Sequence, residues 1–343
     1  MHNERRKFLK LGTVAAVGSL LDVSARAAGE SVAVPAGPGG DALRLATYRP
    51  LAGGEPRVGV VTAKGRVVDL AKAAKAAGIR LGFDPANMLS LIAAGPDALA
   101  LARKCAAADP GEALDSVRLM APIPLPARNV YAVGWNYLEH FEESLSAQAS
   151  KAALPKHPVF FTKGTHTING PFDPIPFDPS VSVKIDWEGE LAVIIGKRGR
   201  NIAEADALSH VFGYAVINDA TARDIQADHG GQWFKGKSLD GHGPIGPWIV
   251  AASDIDYNDL ELTTRVNGVV KQQSNTRLMY FKVPRIIAEL SRGLTLEPGD
   301  IIASGTPAGT GGSRTPPEFL KPGDILETEI NRIGVIRNQI KQV

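Results

Sequence analysis

Asp186-Trp187-Glu188-Gly189-Glu190-Leu191-Ala192-Val193-Ile194-Ile195-Gly196 decides the fold of this chain. Its second half is an apolar run of strand length, of the buried type. Side chains alternate faces along a strand, so Glu188 and Glu190 point the same way. Two carboxylates beside a hydrophobic core repel each other and are costly to desolvate. A divalent cation between them removes that repulsion. All-oxygen ligation favours a hard ion, Mg²⁺, Mn²⁺ or Ca²⁺, over zinc. The same spacing also suits a solvated strand end. Parity leaves Asp186 on the same face, so spacing does not choose which carboxylates bind.

A third carboxylate stands at the end of Gly213-Tyr214-Ala215-Val216-Ile217-Asn218-Asp219. This is a second apolar strand, and Asp219 at its end can meet Glu188 and Glu190 from next door. Asp224, a little further on, can pair with Arg223 or start a turn. Upstream, Asn129–Val133 reads as a strand and runs into Gly134-Trp135-Asn136-Tyr137-Leu138-Glu139-His140-Phe141-Glu142-Glu143. Asn136 suits a helix N-cap, with Glu139 three residues later completing a capping box. His140 and Glu143, spaced i, i+3, share one helix face. A carboxylate beside an imidazole fixes its tautomer and raises its basicity, as a general base requires. A surface His–Glu contact has the same spacing.

Around these stretches the chain divides by character. Its 343 residues favour about two domains. With 44% hydrophobic and 22% charged residues it reads as globular with a sizeable core. A net charge of +2 gives no reason to expect a nucleic acid partner. Cys105 is the single cysteine, so no intrachain disulfide or thiolate cluster can form, and its alanine-rich surroundings suggest core packing. Residues 1–27 read as a bacterial export signal: Arg5-Arg6 before Phe8-Leu9-Lys10, an apolar stretch from Leu11 to Leu21, then Ala25-Arg26-Ala27. The paired arginines resemble the twin-arginine signal and imply a periplasmic product with no stable membrane insertion after processing. Residues 28–41 read as a linker. Residues 42–120 read as a small α+β domain with strands at Arg57–Val61 and Arg66–Leu70 and helices near Asp69–Ala77 and Met88–Ala107. From residue 125 to 343, short β-branched runs alternate with Gly/Pro/Asp turns. They include Leu191–Ile195, Tyr214–Ile217, Trp248–Val250, Leu262–Val266 and Ile301–Ala303. The fold class expected is α+β, mainly β.

Further strings follow in order: Phe160-Phe161-Thr162-Lys163, Asn218–Gln226, Gly236-Lys237-Ser238-Leu239-Asp240, Pro244–Pro247, Val266-Asn267-Gly268, Ser304-Gly305-Thr306-Pro307-Ala308-Gly309 and Leu320–Asp324. Together with the two acidic and histidine motifs, they resemble the fumarylacetoacetate hydrolase family from about Arg128 to Val343. The branch is that of acylpyruvate hydrolases and 2-hydroxyhepta-2,4-diene-1,7-dioate isomerases. The resemblance implies a mixed β-roll or barrel catalytic domain, usually a homodimer, holding one divalent metal ion. It matches Glu188, Glu190 and Asp219 to the metal ligands. It matches His140, Glu143 and Lys237 to the catalytic residues, and Gln226, Gly305 and Thr306 to the substrate pocket. The implied reaction is hydrolysis of a C–C bond in a small oxo- or diketo-acid of the acylpyruvate type, by way of an enolate that the metal stabilises. Isomerase, lyase or oxo-acid decarboxylase chemistry is the alternative, and an exported binding protein without turnover is a third. Trp135, the stretch Ser144–His157 that lengthens the loop after the histidine helix, Lys163–Thr167 and Asp240–Gly243 depart from the family pattern around the expected pocket, which bears on the substrate more than on the metal.

Overall fold

Gly189–Ile195 lies inside a 12-stranded sheet with all seven residues buried. It pairs antiparallel with Val211–Asn218 on one side and Ile301–Ala303 on the other. Alternation divides its side chains between two cores. Leu191, Val193 and Ile195 face a core shared with Leu262, Ile330 and Ile336 of a second sheet. Ala192 and Ile194 face a core shared with Leu91, Ile92, Ala102 and Cys105 of the N-terminal helices. An apolar run without alternation is what a strand covered on both faces requires. Cys105 is a free, buried core residue.

This computed structural model describes residues 42–148 and 153–343; the expected export signal at 1–27 and the linker at 28–41 lie outside the described residues. The main path of the large sheet runs Glu112–Ala113, Arg66–Asp69, Arg57–Val61, Arg44–Pro50, Gly243–Ala251, Val211–Asn218, Gly189–Ile195, Ile301–Ala303, Val130–Gly134, Val159–Lys163. The order begins and ends on an edge, so among the described residues the strands form an open sheet and not a closed barrel. The N-terminal strands are continuous with it, Arg44 pairing with Val250 and Leu45 with Ile249. A five-stranded sheet packs alongside, in the order Val269–Asn275, Glu261–Val266, Ile325–Ile330, Gly334–Gln342, Ile175–Phe177. The architecture is mainly β with some helices, as expected. No described helix is long and apolar enough to cross a membrane.

Three local expectations are corrected. The single helix expected over Met88–Ala107 is two, Met88–Ala93 and Pro96–Ala108. Gly95, at φ 71°, caps the second, and Pro96 occupies its first turn, where a missing N–H costs nothing. Asn136 is not a helix cap. The helix begins at Leu138, and the buried Asn136 amide instead donates to Phe281 O and Ser304 O and accepts from Phe281 N–H. Three tertiary bonds outcompete one cap. The stretch from Ser144 is not all loop, because that helix continues to Gln148.

Candidate metal centre and active site

The Gly189↔Asn218 pairing sets the three acids together. Glu188 and Glu190 flank Gly189, and Asp219 follows Asn218, its N–H donating to Glu188 O at 2.8 Å. One carboxylate oxygen from each of Glu188, Glu190 and Asp219 lies within 4.8 Å of the others, and all three residues are buried. The glycine between the glutamates is forced by packing. A Cβ at Gly189 would sit 2.3 Å from Thr264 Oγ1 and 2.8 Å from Thr328 Cγ2 of the second sheet. Asp186, which parity left open, is occupied elsewhere. It accepts from Gly311 N–H (2.6 Å), Gly312 N–H (2.9 Å) and Arg223 Nε (2.7 Å), pinning a loop. Among the described residues Asp224 does not pair with Arg223; it lies in the first turn of the helix Arg223–Asp228 and accepts from Ser182 Oγ at 2.6 Å.

Cationic side chains surround two of the three acids. Lys237 Nζ donates to Glu188 Oε2 (2.6 Å) and Asp219 Oδ2 (2.8 Å). Arg223 donates to Glu188 Oε1 at 2.6 Å. Lys163, fully buried, lies 2.8 Å from Asp219 Oδ1 and donates to Ala220 O and Lys237 O. Burial pushes the Glu188 carboxyl up, but Lys237 and Arg223 hold it well below the usual carboxylate range. Burial opposes the charge on Lys237, yet Asp219 and Glu188 raise its pKa above the ordinary lysine value. Burial, with Lys237 nearby, pushes Lys163 down despite Asp219.

Glu190 is different. Its hydrogen bond comes from Gly305 N–H at 2.7 Å, and burial with the charges of Asp219 and Glu188 raises its pKa well above the usual range. A buried carboxylate crowded by two others calls for a cation. The donor set therefore fits a divalent ion, and its oxygens suit Mg²⁺, Mn²⁺ or Ca²⁺.

His140 and Glu143 meet as their spacing predicts, with Nδ1 2.9 Å from Oε1. Glu143 also accepts from Gly309 N–H (2.9 Å) and Thr310 Oγ1 (3.2 Å). Burial pushes its carboxyl up, but the His140, Gly309 and Thr310 bonds hold it below its ordinary value. The acid stays ionised and fixes the ring, leaving Nε2 for proton transfer. His140, Glu188, Glu190 and Lys237 line one cavity of ≈ 990 Å³.

The expected pocket residues take distinct places. Gln226 lines the cavity and accepts from Arg223 at 3.0 Å. Thr306 lines it too, its hydroxyl donating to Gly189 O (2.9 Å). The Gly305 N–H is committed to Glu190. Sequence reasoning gave no role to Lys163, Arg223 or Gln272. Lys163 and Arg223 sit inside quoted motifs, so their signal was present. Gln272 had none. Among Lys271-Gln272-Gln273-Ser274 it reads as an exposed strand, but the register skips from Thr264↔Gln272 to Arg265↔Val270. Lys271 is thus the extra residue of a bulge. Gln272 is 1% exposed, accepts from Gly189 N–H (3.0 Å) and donates to Thr306 Oγ1 (2.8 Å) and Pro307 O (2.9 Å). It clamps the turn of the carboxylates to the loop that binds Glu190. Replacing Gln272 with Leu is expected to weaken Mn²⁺ binding about 10–100-fold, the usual cost of losing an outer-shell partner. Calorimetric titration with Mn²⁺ checks this, with unchanged circular dichroism as the folding control.

Known proteins resemble this chain over most of its length. The family described as Fumarylacetoacetate (FAA) hydrolase C-terminal matches residues 129–341. Oxaloacetate tautomerase YisK of Bacillus subtilis (strain 168) is 43% identical over 293 residues, 82% of this chain and 95% of that protein. The structure of a fumarylacetoacetate hydrolase from Exiguobacterium antarcticum superimposes with a TM-score of 0.71 at 40% identity, covering 88% of this chain and 100% of that one. A maleylpyruvate hydrolase from Sphingobium sp. SYK-6, in complex with manganese(II) ion and pyruvate, gives 0.68 at 31% identity, covering 87% and 99%. This chain belongs to the fumarylacetoacetate hydrolase family, and it is an enzyme of that family.

Proposed function

We propose that this protein is a metal-dependent tautomerase of a small 2-oxo acid of the oxaloacetate type, moving a proton between the enol oxygen and carbon 3. The observation that carries the reading is His140, oriented by Glu143 at 2.9 Å and sharing one cavity with Glu188 and Glu190 of the acidic cluster. Enol–keto conversion needs one proton carrier and a means of stabilising charge on oxygen, with no attacking water. The tautomerase relative, 43% identical over most of both chains, supports the same choice over the C–C hydrolysis expected from sequence.

A divalent ion held by Glu188, Glu190 and Asp219 would supply Lewis acidity toward the 2-oxo group. The chain does the rest. His140 Nε2 exchanges the proton at carbon 3. Glu143 holds the ring through Nδ1 and stabilises the imidazolium that forms. Lys237 places positive charge beside Glu188 and Asp219, where negative charge on the substrate oxygen develops. Arg223 and Lys163 keep Glu188 and Asp219 in place.

The second reading, a C–C hydrolase, is favoured by one observation: ≈ 990 Å³ is more space than a four-carbon acid fills. An ultraviolet assay separates the two. With Mg²⁺, the tautomerase reading expects rapid decay of the enol band of oxaloacetate and slow release of pyruvate from acylpyruvates. The opposite ranking overturns it. Export by the twin-arginine route and a homodimeric state belong to the same proposal. Arg5-Arg6 with Ala25-Arg26-Ala27 supports the first, and family resemblance supports the second.

A further inference from the structure

We infer that Trp135, Phe161 and Trp233 form a subsite for a neutral, aryl-sized substituent on carbon 3, so that 3-aryl-2-oxo acids are ligands of this protein. The inference rests on the tautomerase reading for the ligand's fate, but its binding is read separately.

All three rings line the cavity. Trp135 and Trp233 meet edge to face with centroids 5.1 Å apart, and Phe161 meets Trp233 in the same way at 5.2 Å. The wall starts at the carboxylates, because Lys237 Nζ, bonded to Glu188 and Asp219, lies 5.1 Å from the Phe161 centroid. It ends at the helix of the proton carrier, because Phe141, next to His140, packs 5.8 Å from Trp135. A 2-oxo acid with its oxygens toward the acids and carbon 3 toward His140 lies along this wall. Aromatic faces are electron-rich, so they favour a neutral ring and disfavour a second carboxylate.

The wall is built at a conformational cost. Trp135 sits at φ 55°, a left-handed conformation that is unusual for a bulky residue. Gly134 lacks the Cβ that would lie 2.3 Å from the Trp233 ring. Gly230 and Gly231, both at positive φ in open space, turn the chain shortly before Trp233. Packing alone does not explain the arrangement: Trp187 and Trp248 are fully buried, whereas Trp135 and Trp233 are left half-buried with their rings on the cavity.

The test is calorimetric titration of the Mg²⁺-loaded protein with phenylpyruvate and with oxaloacetate, in wild type, Trp233→Ala, Trp233→Phe and Phe161→Leu. Wild type is expected to bind phenylpyruvate at least as tightly as oxaloacetate. Trp233→Ala should weaken phenylpyruvate about 10–100-fold more than oxaloacetate, with Trp233→Phe restoring most of that preference. If Trp233→Ala does not fold, Phe161→Leu reads the same ratio. No binding of phenylpyruvate by wild type, or equal weakening of both acids, overturns the subsite. Decay of the phenylpyruvate and oxaloacetate enol bands is followed in parallel. Binding without turnover of either enol leaves the subsite standing and removes the tautomerase reading.

Discussion

Glu190→Gln is expected to weaken Mn²⁺ binding by more than about 100-fold, beyond the usual cost of an outer-shell loss, and to abolish turnover. Glu190 is singled out because Glu188 and Asp219 are in direct contact with Lys237, Arg223 and Lys163, whereas among the described residues Glu190 accepts from the Gly305 N–H. Its amide analogue keeps the size and one acceptor oxygen but removes the charge that a hard cation needs. The pH dependence has a definite sign. Because the folded-state pKa of Glu190 is raised, its own contribution to the stability of the metal-free protein is fully present below the unfolded carboxyl pKa, about 4.3. That contribution is lost as pH rises through the raised value. A bound cation compensates the ionised acid, so the rise in Tm on adding Mn²⁺ should grow with pH in wild type. In Glu190→Gln it should stay flat. Thermal melts with and without Mn²⁺ across this pH range check both statements. A pH-independent rise in wild type would contradict the role given to Glu190.

The second large effect belongs to His140. His140→Ala is expected to lower kcat by about 10²–10⁴-fold, the range general acid–base catalysis supplies. Mn²⁺ binding should stay near wild type, because His140 is not among the three acids that hold the ion. Glu143→Gln should be milder, about 10–100-fold, since it weakens the fixing of the ring without removing it. Glu143 is held ionised by bonds from His140, Gly309 and Thr310, so its substitution also loosens the 309–310 loop. Steady-state kinetics beside calorimetric Mn²⁺ titration separates the two roles. Loss of Mn²⁺ binding in His140→Ala would mean that the histidine is a ligand and not the proton carrier.

Residues in short regular stretches were legible in the sequence. Strand parity put Glu188 and Glu190 on one face, an apolar strand ended at Asp219, and helical spacing paired His140 with Glu143. Parity left Asp186 on the face of Glu188 and Glu190, and what takes Asp186 out of the acidic cluster, the Gly311 and Gly312 N–H groups, comes from a distant loop. Asn136 misled because a side-chain amide just ahead of a helix suits both a cap and a tertiary bridge. The choice lay with Phe281 and Ser304, far along the chain. Gln272 was invisible because one bulged residue, Lys271, reverses which side of the strand faces inward. The strand Arg44–Pro50 was missed for a related reason, its partner Gly243–Ala251 lying near the other end of the chain. The break at Gly95-Pro96 was read through as one helix, although proline in the first turn and glycine before it mark a new one.

The most direct test of the account is proton NMR of oxaloacetate in D₂O with Mg²⁺, following deuterium entry at carbon 3 and the appearance of pyruvate. Wild type is expected to speed exchange at least about 100-fold over Mg²⁺ alone, His140→Ala is not, and pyruvate should form no faster than without protein. Exchange as fast in His140→Ala, or pyruvate forming ahead of exchange, would contradict it.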